Sequence, residues 1–117
     1  HQLAIDLDQL YQSTGRKVLI AIEPEPGCIL GDSSQARKFF LRYLLDDKDA
    51  ELHREYLTIC HDVCHAAVMR EDQKLQIQAY RDCGIRIGKV QVSSAIHVDW
   101  DTMKREERVE AFQQVSS

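Results

Sequence analysis

The sequence lacks any apolar run approaching the ~18 residues that cross a membrane, and it lacks a signal-like start. It also lacks a surplus of basic residues: 15 Lys and Arg stand against 19 Asp and Glu, for a net charge of −4. Nucleic-acid backbones demand clustered cations, so a general nucleic-acid surface is excluded. The one basic cluster, Lys104, Arg105 and Arg108, is interleaved with Glu106, Glu107 and Glu110 and reads as a solvated helix face. Cys28, Cys60, Cys64 and Cys83 lack the spacing of a secreted disulfide framework, and each sits in or beside an apolar run. Reduced thiols and a cytoplasmic location are therefore expected. No internal repeat or low-complexity segment is present.

What is there is one domain's worth of α/β alternation. A chain of 117 residues buries about 65% of its unfolded surface, enough for a core without staples. Leu3, Leu7, Leu10 and Tyr11 recur at helical spacing before Gly15. KVLIAIE, residues 17–23, reads as a strand buried on both faces, and EPEPG, residues 23–27, as a loop. Asp32 with Gln35 three positions on predicts a capped helix over 33–45, with Ala36, Phe39, Phe40, Tyr43 and Leu44 on its apolar face. LTICHD, residues 57–62, predicts a second strand, 72–83 a helix stopped by Gly84, IGKVQVS at 87–93 a third strand, and 102–115 a charged helix carrying Met103, Val109 and Phe112.

Alternation at this pitch predicts three parallel strands joined by right-handed crossovers, in sequential order. All crossover helices then fall on one face and leave an apolar second face bare, which a (β/α)8 barrel cures by closing. The fold expected is α/β, a partial TIM barrel over 1–117. The chain starts without Met inside a helical pattern, which reads as the interior of a longer protein. An open apolar sheet further predicts either a longer chain or a homo-oligomer, with a contiguous exposed patch of strand side chains.

In parallel α/β folds the site lies outside the C-terminal strand ends. Here those ends read Glu23, then His61-Asp62, then Gln91-Val92-Ser93-Ser94. Two converging carboxylates repel unless a cation or a proton relieves them. Asp62 and His65 form a D-x-x-H pair at a strand end, and oxygen with imidazole suits Zn2+, Mn2+ or Fe2+ better than Ca2+. Glu25 is an alternative to Glu23. His61, adjacent to the acid, points to the opposite face as a core histidine, and Cys60 and Cys64 read as small buried residues. Trp100 is either an aromatic wall of the site or a packing residue. A self-contained zinc or redox module built on H-D-V-C-H is the rival chemistry.

The segments IEPEPGC, CHDVCHAAVMRED and GIRIGKVQVSSAI together resemble the xylose-isomerase-like TIM-barrel superfamily, which includes sugar isomerases, epimerases and endonuclease IV. More narrowly they resemble its EboE, or "metabolite traffic", branch. The resemblance covers nearly the whole chain and implies the fifth to seventh β/α units. It implies metal ligation by Glu23 and Asp62, with His65 as a substrate contact or extra ligand. Gln91 stands where the superfamily commonly has a metal-binding His. The eighth-strand carboxylate lies outside this sequence, so a site that is empty, water-filled or only weakly occupied by a divalent ion is expected. Gln91 and Ser93 then join His65 as substrate contacts. The implied activity is isomerisation or epimerisation of a small polar metabolite or sugar. The alternative is a barrel that binds or carries such a metabolite without turning it over.

Overall fold

A computed structural model describes residues 1–46, 48–96 and 98–116. It is a mixed α/β fold in which a three-stranded parallel sheet, in the order β1-β2-β3, alternates with helices. The elements are α1 (Gln2–Thr14), β1 (Ile20–Ile22), α2 (Ser33–Phe39) running on into a π-helical segment (Phe40–Leu44), and α3 (Ala50–Tyr56). There follow β2 (Leu57–Asp62), α4 (Val63–Val68), α5 (Gln73–Asp82), β3 (Ile87–Gln91) and α6 (Arg105–Ser116). Among the described residues no helix is long and apolar enough to cross a membrane.

The sheet is shorter than the sequence suggests. β1 begins at Ile20 rather than Lys17, and Val18 and Leu19 lie exposed ahead of it. β3 ends at Gln91, leaving Val92 exposed and Ser93 beyond the strand. β2 is the central strand and all six of its residues are buried. Alternation puts Leu57, Ile59 and His61 on one face and Thr58, Cys60 and Asp62 on the other.

The first face carries the core. Leu57 and Ile59 pack with Ala36, Phe40 and Leu44 of α2 and its π extension, with Tyr80 of α5 and with Ile85 on the way into β3. Both crossovers therefore cover the same face, as right-handed connections between sequential strands require. A second small cluster joins Ala4 and Leu7 of α1 to Tyr56 of α3. Asp32 caps α2 by accepting from the Gln35 N–H at 2.7 Å, and Asp72 caps α5 by accepting from the Leu75 N–H at 3.0 Å.

The predicted helix 33–45 is present, and of its predicted apolar face Ala36, Phe39, Phe40 and Leu44 pack in the core while Tyr43 does not. The Leu45 N–H reaches back five residues to the Phe40 carbonyl at 2.9 Å, the signature of a π turn. Widening the turn brings Phe40 and Leu44 onto one side and rotates Tyr43 out, so Tyr43 is 61% exposed.

The second face of the sheet is not the bare apolar surface expected. It presents Ala21, Thr58, Cys60, Asp62, Gly88, Lys89 and Gln91, small or polar side chains, and Thr58 and Cys60 are buried. The Thr58 hydroxyl donates to the Ile20 carbonyl at 2.9 Å, tying β1 to β2. A methyl group on Gly88 would lie 2.1 Å from the Thr58 Oγ1, so only glycine fits where β3 bulges against β2. Exposed apolar side chains gather instead near the two outer strands, at Val18, Leu19, Val90 and Val92. The Cα radius of gyration is 18.6 Å, well above the roughly 13 Å of a compact chain this long.

Candidate metal centre

Parallel pairing brings the ends of β1, β2 and β3 to one edge of the sheet, and the predicted acids meet there. Ile22 pairs with Ile59 and Asp62 with Gln91, so Glu23, one residue past β1, stands beside the end of β2. Ligand atoms of Glu23, Asp62 and His65 all lie within 4.8 Å of one another. Among the described residues this is the only such group of three or more His, Cys, Asp or Glu side chains.

Asp62 is the anchor. It is 4% exposed and serves as the N-cap of α4. Its Oδ1 accepts from the Cys64 N–H at 2.7 Å, the His65 N–H at 3.0 Å and the Ser93 hydroxyl at 2.8 Å. Its Oδ2 accepts from the Gln91 amide at 2.6 Å. Burial by itself would raise this carboxyl, but donation from His65, Ser93, Gln91 and Cys64 outweighs it and draws the group down to about 2. Asp62 is therefore an anion at neutral pH, held in one orientation.

His65 sits on the first turn of α4, which carries its ring over the end of β1. Its Nδ1 lies 3.2 Å from Glu23 Oε1 and 3.3 Å from the Pro24 carbonyl. Both neighbours accept, so the Nδ1 proton lies toward them. The Glu23 side chain is 31% exposed, which leaves the cluster open to solvent on that side. Below it, bounded by Cys60, His61, Asp62 and Tyr80, a cavity of about 20 Å3 holds room for one water.

Gln91 and Ser93, expected to contact substrate, are in the site, but both side chains are directed to Asp62. Glu25 is exposed and apart: it accepts from the Cys28 thiol at 3.6 Å, and its charge raises that thiol. His61 turns to the helix side, where its Nε2 lies 3.1 Å from Gln73 Oε1 of α5. The H-D-V-C-H segment is thus split between two faces and forms no Cys/His cluster. All four cysteines are free thiols. Trp100 lies against the Arg108 guanidinium at 5.9 Å from the ring centre, a packing role within the C-terminal segment.

One residue of the site escapes the sequence reasoning, and a second, Cys60, is the small buried residue expected. Lys89 shares the face of Gln91, and its Nζ donates to Gln91 Oε1 at 2.6 Å. Cys60 lies on the floor, where burial and then the Glu23 charge push its thiol upward. Lys89 was findable, because it stands two positions before Gln91 on a strand of period two.

The donor set suits a small divalent cation. Two carboxylates and one imidazole leave coordination positions open, as catalytic zinc and manganese sites do. Compared with protein-family models, with curated proteins and with solved structures, the chain matches none of them.

Proposed function

We propose that this chain is a three-unit segment of a xylose-isomerase-like (β/α)8 barrel whose Glu23, Asp62 and His65 hold a divalent cation, Zn2+, Mn2+ or Fe2+, against a small polar metabolite or sugar. The observation that carries this is the convergence of the three ligand atoms within 4.8 Å at the C-terminal edge of a parallel sheet. That is where α/β folds of this kind keep their chemistry. When bound, the cation supplies Lewis-acid polarisation of a carbonyl or hydroxyl, the need of sugar isomerisation or epimerisation.

The chain's own residues divide the remaining work. Asp62, with four donors on it, keeps its charge and its position. Glu23 has solvent access and the His65 ring beside it, so this pair is the solvent-facing end of the site, placed to hold or pass a proton. Ser93 and Gln91 orient Asp62 from the end of β3.

The second proposal is a barrel that binds or carries a metabolite without converting it. Gln91 favours it, because an amide donating to Asp62 stands where a further ligand would complete the metal's shell. Metal analysis of the purified protein and its Glu23→Gln variant tests the site. Bound metal that disappears in the variant supports it, and equal metal in both overturns it. Turnover of ketoses or aldoses by the metal-loaded protein supports the enzyme, and binding without turnover supports the carrier.

A further inference from the structure

We propose that Lys89 sets the affinity of this site for its cation by fixing the orientation of the Gln91 amide, an inference that rests on the metal site proposed above. Lys89 and Gln91 lie two residues apart on β3 and share the face that carries Asp62. An ammonium group has donors and no acceptor. With Nζ at 2.6 Å, it requires the oxygen of the Gln91 amide to face it. The amide nitrogen is thereby turned to Asp62 Oδ2, also at 2.6 Å.

That orientation has a consequence for a cation. A carboxylate offers about four lone-pair positions. Three donors already converge on Asp62 Oδ1. A cation therefore reaches Asp62 through Oδ2, the oxygen beside the Gln91 NH2 group. The hydrogens of that group, with the ammonium behind them, present positive charge to the place the cation needs. Turned over, the same amide would offer Oε1 there instead, an oxygen ligand in line with the preferences of Mn2+ or Zn2+. Asp62 Oδ2 and Lys89 both hold this orientation, and Lys89 is the holder that keeps opposing the turn once a cation sits on Oδ2. It is a positioning residue, acting on the cation through Gln91 as outer-shell partners commonly do.

The test is a Mn2+ titration, reading free Mn2+ by electron paramagnetic resonance, of the wild type and of Lys89→Met, Lys89→Arg, Gln91→Ala, Lys89→Met/Gln91→Ala and Glu23→Gln. Lys89→Met is expected to bind Mn2+ on the order of tenfold more tightly, and Lys89→Arg to stay near wild type. In the Gln91→Ala background the gain should shrink, because no amide is left to turn. Unchanged or weaker binding by Lys89→Met, with Glu23→Gln abolishing binding, overturns the role of Lys89 and leaves the metal site standing. A gain undiminished without Gln91 overturns the amide route. Absence of binding in every variant overturns both the inference and the site beneath it.

Discussion

Asp62 caps α4 through two backbone N–H groups and holds the end of β3 through Gln91 and Ser93. Replacing it by alanine leaves those donors unpaired in a buried setting. Asp62→Ala should therefore cost roughly 3 kcal/mol, read as a lowered urea midpoint in chelator-treated protein. An unchanged midpoint would contradict the geometry. Because the folded carboxyl lies near 2, below its usual value of about 3.9, the charged form adds stability above about pH 4. That contribution is lost as pH falls from there toward 2. The stability gap between wild type and Asp62→Asn should narrow over that window, and a constant gap would be the opposing result. The acid and its D-x-x-H partner were legible because parallel sheets collect function at one edge. The four donors were not, since each depends on where α4 and β3 come to rest.

At the scale of the element, the three parallel strands and their order follow from apolar runs and crossover handedness, and both were legible. The short helices α3 and α4 were not. Each spans under two turns, too few for a periodic stripe, and α4 starts directly from the last residue of β2. Its cap is Asp62, so one residue both closes the strand and opens the helix. The π turn was hidden for a different reason: an even 3.6-residue period assigns Tyr43 to the core, and only packing against β2 favours the wider turn. Phe40, 2% exposed in the main core, should cost 3–5 kcal/mol on truncation to alanine, by analogy with about that range for buried aromatics. Tyr43→Ala should stay within about 0.5 kcal/mol. Denaturant unfolding of both variants decides, and equal losses would place Tyr43 back in the core. Gly88→Ala forces a methyl group onto the Thr58 side chain. It should destabilise by about 1–3 kcal/mol, and a neutral effect would mean that the bulge relaxes freely.

At the scale of the whole molecule, the central strand is buried on both faces and the outer strands are not. The helix-bearing face is a packed core, while Val90 of β3 and, just beyond the strand ends, Val18, Leu19 and Val92 are exposed. Strand edges of this kind pair with other chains. The 13.5 kDa chain studied alone should therefore sediment as a self-associated species, and Val90→Lys with Val92→Lys should shift it toward monomer. A monomer at all concentrations would oppose this. The proposed cation site gathers Glu23 just past β1, Asp62 of β2 and His65 of α4, so it depends on the assembled sheet edge. The most direct test is the zinc K-edge X-ray absorption spectrum of the zinc-loaded protein. Glu23, Asp62 and His65 predict a shell of oxygen and nitrogen alone at about 2.0–2.2 Å, lost in Glu23→Gln. A sulfur shell at about 2.3 Å, persisting in that variant, would assign the metal to the cysteines and contradict the site.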